Sequence, residues 1–495
     1  MGKLLKRSIA CLSGMLIALA CLPWCPPAHA NTDEALSEEF IQQIKRPRTG
    51  DLPSMIKERA IRALVAYNKT NYFLDGGRER GVTYEALQMY QDELNKELAK
   101  RGKRQKHLRV HVIIIPVARD KLIPYLIQGK GDIAAANLTI TSYRRKEVEF
   151  CAPFADNVKE VVVTGPGAPA LKSLDDLSGR AVYVRKSSSY YGSLIKLNAA
   201  LKKKKLKPVK IEFADENLET EDILEMANAG LVPITIADSH LADFWAKIFK
   251  KIQVHHQLAV RTGGRIAWAV RKNSPKLVKS INAFVKTHKQ GTLMGNILTK
   301  RYYQDTKWAR EALNEENIQR FNRTTKFFQK YASQYGFDWL MLTALAFQES
   351  GLDNEKVSHV GAVGVMQIMP KTAANPPVSI AQYKKLENNI HAGTKYLRWI
   401  FDRYFKDDPK MDQLNKVLFT FASYNAGPGK VANLRQRAAK MELDPNVWFH
   451  NVEVVAAKVI GRETVQYVGN IYKYYVAYLQ ADKQRQERFE AMKKK

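Results

Sequence analysis

Between residues 52 and about 303, short apolar runs alternate with stretches of helical period. Residues 60–67 and 108–115 read as strands, and residues 83–98 between them carry the apolar spacing of a helix. Residues 181–184, 209–213 and 231–236 read as further buried strands, each close to a helical stretch. Apolar strands separated by helices predict an α/β unit. From residue 314 onward the period changes and strand signals nearly vanish. Residues 317–335 predict a helix ended by Gly336. Asp338 is placed to cap a second helix over 339–350, which Gly351 ends. Further helices are expected near 390–404, 414–424 and 462–480, with a charged, frayed tail over 481–495. The chain thus predicts a multi-domain protein, an α/β half followed by a mainly α half.

The first thirty residues stand apart. Lys3, Lys6 and Arg7 precede an apolar stretch from Ile9 to Leu22, too short for a comfortable membrane span. Ala28-His29-Ala30 then offers a small-residue cleavage site. Residues 1–30 therefore read as a signal peptide cleaved near Ala30, with lipidation at Cys21 as the competing reading. Export follows. Of the four cysteines only Cys151 lies beyond the leader, so neither an internal disulfide nor a cysteine-based metal site is available. The adjacent His255 and His256 cannot face one site from a regular strand, and no metal constellation appears. With 45% hydrophobic and 26% charged residues the chain is globular. Its formal net charge of +30 favours anionic surroundings; nucleic acid is one candidate, and an anionic cell wall or lipid surface fits equally well. The charge is spread over the whole chain and decides little alone; with the motifs below, nucleic acid is not the partner inferred. The run from Lys202 to Lys205 reads as a solvated helix end.

Candidate chemistry concentrates in the helical half. Gln348-Glu349-Ser350-Gly351-Leu352 is followed by Gly361-Ala362-Val363-Gly364-Val365-Met366-Gln367-Ile368-Met369-Pro370. Ser423-Tyr424-Asn425-Ala426-Gly427 and Glu463-Thr464-Val465-Gln466-Tyr467 come later. Glu349 ends an otherwise apolar helix. The negative helix terminus and apolar neighbours such as Met366 and Ile368 both disfavour the carboxylate. A raised pKa, suited to a general acid, is the expectation. Glu463 and Tyr467 lie four apart on one helix face and can point into the same groove. Asp353 and Glu355 read as loop residues in contact with water.

In this order the motifs resemble the soluble lytic transglycosylase family, whose catalytic domain has a goose-type lysozyme fold. The resemblance covers residues 314–480. It implies that Glu349 alone cleaves the glycosidic bond between N-acetylmuramic acid and N-acetylglucosamine in peptidoglycan, without water, leaving a 1,6-anhydro end. It also implies substrate-side roles for Ser350, Gln367, Tyr424, Asn425, Glu463 and Tyr467, and no cofactor. A hydrolytic muramidase on the same fold and a non-catalytic sensor are the alternatives.

Three stretches of the α/β half carry a second resemblance: Tyr72-Phe73-Leu74-Asp75-Gly76-Gly77, Gly131-Asp132-Ile133-Ala134 leading to Thr139-Ile140-Thr141-Ser142-Tyr143-Arg144, and Leu174-Asp175-Asp176-Leu177 leading to Ser187-Ser188-Ser189. They look like family 3 extracellular solute-binding proteins, two α/β lobes around a ligand cleft, over residues 52–303. The resemblance implies that Arg144 forks onto a ligand carboxylate, that Thr139 and Ser188 add donors, and that Asp238 pairs with an amino group. Tyr72 or Phe73 would cover the ligand, an amino acid or a muropeptide. The domain order resembles membrane-associated transglycosylases whose N-terminal domain regulates the catalytic one at the outer-membrane surface.

Overall fold

The computed structural model describes residues 46–75, 78–100, 102, 108–306 and 315–493. The expected leader, with the cleavage and lipidation readings attached to it, lies outside them.

The first half is one sheet shared by two lobes. Strands β1 (Ala60–Val65), β4 (His111–Pro116) and β5 (Ile133–Thr139) run parallel in the first lobe, beside a small hairpin of β2 (Phe73–Asp75) and β3 (Arg78–Arg80). Strands β8 (Ala181–Arg185), β9 (Lys210–Ala214) and β10 (Ile234–Asp238) run parallel in the second. Two long strands join them, β7 (Ala155–Thr164) and β11 (Gln253–Val270). β11 pairs with β7 over its first part and with β5 and the short β6 (Glu149–Phe150) over its last. The path across the sheet is β4-β1-β5-β11-β7-β10-β8-β9. The buried parallel strands carry continuous apolar runs, as strands covered on both faces must. β5, β7 and β11 escape the sequence reading. β11 alternates between core and solvent only in pieces, because its register shifts four times against β7.

Helix α1 (Val82–Lys100) packs on the first lobe. In the second lobe lie α2 (Ser189–Lys203), α3 (Thr220–Asn228) and α4 (Ser239–Ala246). Cys151 is buried and unpaired, with its thiol pushed up to about 12 by burial.

The second half is a bundle. Its members include α5 (Glu315–Tyr335), α6 (Trp339–Ser350), α7 (Leu386–Tyr404), α8 (Gln413–Ala426) and α9 (Arg462–Lys493). Asp338 caps α6 through the Leu340 N–H, and Gly351 takes the left-handed conformation that ends it. α9 does not fray at Asp482. It continues to Lys493, because Ala481, Arg488 and Ala491 are buried against the first half of the chain. The Arg488 guanidinium binds both carboxylate oxygens of Asp222 in α3, and the Tyr67 carbonyl. Ala477 of α9 sits in the apolar cluster of the first lobe. A second cluster runs without a break from Leu64, Ile115 and Ala134 into Phe328, Leu345 and Tyr475. α9 therefore packs along the edge strand β4 and removes that edge from solvent.

Candidate active site

α6 is apolar on nearly every side and is buried from Leu340 to Ala346. Its last turn brings Glu349 to the surface of the bundle. The helix is tied to the antiparallel α9 near both ends. The Tyr475 hydroxyl donates to Asp338 at 2.6 Å, and the Tyr467 hydroxyl donates to Glu349 Oε1 at 2.5 Å. Burial pushes the Glu349 carboxyl up to about 7; the Tyr467 hydrogen bond and the nearby Lys356 ammonium oppose this only in part. The Lys356 Nζ itself donates to the Glu349 carbonyl at 2.7 Å, satisfying an acceptor that the helix end leaves without a partner. None of the groups setting the acidity of Glu349 is a carboxylate.

The glycine-rich motif forms the loop beside Glu349, and most of its polar atoms hold the loop together. Ser350 Oγ donates to the carbonyls of Ala346 and Val365 and accepts from the Asp353 N–H. Gln367 Nε2 donates to the carbonyls of Lys356 and Gly364. Its donors thus serve the backbone. Tyr424, on α8, donates to the Met366 carbonyl at 2.8 Å. Asn425 accepts from Thr464 Oγ at 2.7 Å, which links α8 to the start of α9. Glu463 is exposed, while Tyr467 one turn later is buried; only the second of the pair touches Glu349. Asp353 and Glu355 lie in the loop and bond locally, as expected.

Asn389 was not singled out from sequence. It is fully buried, accepts from the Met366 N–H and donates to the carbonyls of Val363 and Tyr383. A Cβ on Gly364 would lie 2.3 Å from the Asn389 amide. Gly364 thus serves close packing as well as its positive φ. No pattern marks Asn389, since a single polar residue on a helix reads as exposed.

In the first half, the residues named for a ligand cleft gather with two exceptions. Thr139, Arg144, Ser188 and Asp238 line one small cavity of about 20 Å³ between the lobes. Arg144 is buried and donates to the carbonyls of Thr139 and Ser187, at 2.9 Å each, so it spans the two lobes. Burial, with Arg119 nearby, lowers its pKa to about 10. Ser188 caps α2. Asp238 accepts from Asn137 Nδ2 at 3.0 Å, while its Oδ1 has no partner. Burial pushes the Asp238 carboxyl up to about 6. Phe73, in the apolar cluster of the first lobe, is one exception, and Tyr72 is the other. It is fully buried away from this cavity, and its hydroxyl donates to Glu79. It packs against Tyr67 and Tyr84, whose rings fill the space behind the β2–β3 hairpin. The sequence also gave no sign of the buried pair Arg119–Glu219 at 2.6 Å, which closes the cleft floor with Asn68. Its partners lie a hundred residues apart.

Comparison with known proteins agrees with this division. The transglycosylase SLT domain family matches residues 326–447, and the family 3 bacterial extracellular solute-binding proteins match residues 71–304. A Desulfosudis oleivorans protein named membrane-bound lytic murein transglycosylase F is 29% identical over 390 residues, which is 74% of this chain and 82% of that protein. Proteins of the same name from Pseudomonas fluorescens and Shewanella pealeana are 28% and 27% identical, covering 87% and 84% of this chain and 87% and 85% of their own lengths. The chain thus combines a transglycosylase SLT domain with a family 3 solute-binding domain, and most of its length is similar to proteins named lytic transglycosylases. In it the transglycosylase domain carries Glu349 on α6, and the solute-binding domain carries the Arg144–Asp238 cleft. The long α9, which follows the matched transglycosylase residues, touches both halves.

Proposed function

We propose that the chain cleaves the β-1,4 bond between N-acetylmuramic acid and N-acetylglucosamine in peptidoglycan, with Glu349 as both acid and base. The observation that carries this reading is a single carboxyl, held near pKa 7 at the end of an apolar helix, with no carboxylate among the groups that set its acidity. Protonated Glu349 donates to the glycosidic oxygen as the bond from the muramic C1 breaks. The substrate's own acetamido group supports the charge developing at C1. The Glu349 carboxylate then takes the proton of the C6 hydroxyl, whose oxygen closes on C1 to give the 1,6-anhydro ring. Atoms balance without water, and Glu349 ends protonated for the next turnover. Tyr467 holds the carboxylate in place, while Gln367 and Asn425 are assigned to contact the sugar. Mass spectrometry of digested peptidoglycan tests the reading. Anhydro ends that disappear with Glu349→Gln are expected; reducing ends would mean hydrolysis, and full activity in the variant would remove Glu349 from the mechanism.

The solute-binding domain is proposed to regulate this site. Asp238, pushed up to about 6 and lacking a partner for one oxygen, suits the amino group of an amino acid or muropeptide, and Arg144 suits a carboxylate. α9 offers the route between the sites. It holds Glu349 through Tyr467, packs Tyr474 and Tyr478 against Phe347 of α6, and ends at the Arg488–Asp222 pair. Asp222 in turn accepts from the backbone N–H of Glu219 in the cleft floor. A ligand that changes the closure of the lobes moves the far end of the helix that positions the catalytic group. Calorimetry of the full chain with amino acids and muropeptides is the check. Binding coupled to a changed cleavage rate supports regulation, and no binding by any member of the panel rejects it.

The chain is further proposed to be exported and to lie on the inner face of the outer membrane. Among the described residues no helix is long and apolar enough to cross a membrane, so such an association would be peripheral or through a lipid on the leader.

A further inference from the structure

The two edges of the large sheet are treated differently. α9 covers β4, whereas β9 at the opposite end pairs with β8 alone among the described residues. Around β9 the surface is basic. Between residues 186 and 213 the sequence holds eight lysines, one glutamate and no arginine. Lys186, Lys196, Lys202, Lys203, Lys204, Lys205, Lys207 and Lys210 are all exposed. Among nearby acids, Asp175 is occupied by Lys204 at 2.8 Å, and Glu216 is occupied by Ser187. Glu212 is exposed within the strand.

Apolar side chains stand in the middle of this charge. Phe213 is 51% exposed, Ile195 47% and Leu206 37%. Their positions are set by the fold. Asn198 on α2 exchanges hydrogen bonds with the backbone of Val209, which fixes the helix beside the start of β9. At the other end of the strand Phe213 packs edge-on against Tyr191 of α2, with Lys186 over its ring. Ile195 lies one turn from Tyr191, on the same side of the helix. Leu206 follows the helix end within the exposed run from Lys202 to Pro208. One or two lysines suffice to guard an edge strand against pairing. They do not account for eight, nor for a phenylalanine left half in solvent beside them.

We propose that this face of the second lobe, formed by α2, the lysine run and β9, docks on an anionic phospholipid surface. The charge complements such a surface, to which clustered lysines add attraction one by one. Phe213, Ile195 and Leu206 supply the shallow apolar insertion that a lipid interface rewards and a soluble polyanion does not. Lysine without arginine fits diffuse attraction to a charged plane rather than the fork-like recognition of an individual phosphate. The proposal rests on the reading that the chain is membrane-associated, and gives that association a surface within the folded part of the chain.

The test is flotation of the full chain, exported and purified in a Cys21→Ser form so that no leader lipid contributes. Vesicles of phosphatidylethanolamine with phosphatidylglycerol are compared with vesicles of phosphatidylcholine alone. Binding to the first and not the second, lost at high salt, is expected. Joint replacement Lys202→Gln, Lys203→Gln, Lys205→Gln and Lys207→Gln weakens it by about 100-fold or more. The pair Leu206→Ser and Phe213→Ser weakens it about tenfold and leaves the salt dependence unchanged. Cleavage of solubilised glycan strands stays at the wild-type rate in both variants, which reports that they fold. Wild-type binding that the lysine variant retains overturns the assignment of this face. Binding to soluble polyphosphate as tight as to the vesicles also overturns it, in favour of a polyanion site. A wild-type chain that floats with neither vesicle type rejects membrane association itself and this face with it.

Discussion

Glu349 combines two demands that pull in opposite directions. An acid must hold its proton near neutral pH, and burial at a helix end does this by making the charged form costly. The same burial destabilises the folded protein wherever the carboxylate is ionised. With a folded pKa of about 7 against an ordinary 4.5, the native state binds the proton more tightly than the unfolded chain. Its contribution to stability is therefore complete below pH 4.5 and is lost as pH rises through 7. Glu349→Gln should stabilise the protein by about 1–2 kcal/mol at pH 8, allowing for partial exposure, and by almost nothing at pH 4. Thermal melts at the two pH values measure this, and equal shifts would contradict the raised pKa. Tyr467→Phe removes a hydrogen bond that favours the carboxylate, so the Glu349 pKa rises further. The alkaline limb of the kcat/KM profile should move to higher pH while the maximal rate falls, since the carboxylate loses its orientation. A limb that moves down in pH would show that the hydroxyl favours the neutral acid instead.

At the level of elements, the motif loop and α9 explain why short sequence signals needed a long helix to become a site. The loop is held by Asn389 from α7, and Gly364 leaves room for that amide. Gly364→Ala should cost about 2–3 kcal/mol, from both the positive φ and the clash, and should lower activity with it. Chemical denaturation of the variant is the measurement; a loss under 0.5 kcal/mol, at the level of a neutral surface change, would mean the loop yields. α9 was expected to stop near residue 480, because the charged composition beyond that point resembles a frayed end. Arg488 reverses that expectation. Its guanidinium lies against the fully buried Asp222, and a charge removed from such a pair leaves the other without compensation. Arg488→Met should cost about 3 kcal/mol. In the regulatory reading it should also uncouple the cleavage rate from ligands of the cleft. A variant that unfolds at the wild-type denaturant concentration would make the pair incidental.

At the scale of the molecule the two domains share a core. The cluster running from Ile115 to Tyr475 is continuous, so heat should unfold the chain in one transition rather than two. Calorimetry resolving two separate transitions would show that the shared cluster does not couple the domains. The order of the α/β half and the helical half, the caps Asp338 and Gly351, and the place of Glu349 at the end of an apolar helix were all legible in the sequence. Each depends on residues within a few positions of one another, where periodicity and capping chemistry act. Tyr72 shows the limit of that logic. Its motif places it near a ligand, but packing with Tyr67 and Tyr84 turns its hydroxyl to Glu79. The Arg119–Glu219 floor, the Asn389 clamp and the Arg488–Asp222 tie join positions far apart in the chain. Which charges find partners across such distances is decided by how the lobes and helices pack, because only burial raises the cost of leaving them unpaired. The sequence by itself therefore determined the two halves and the place of the carboxyl proposed for catalysis. The tertiary structure alone decided which groups hold that carboxyl, and that the helix holding it reaches the floor of the other domain's cleft.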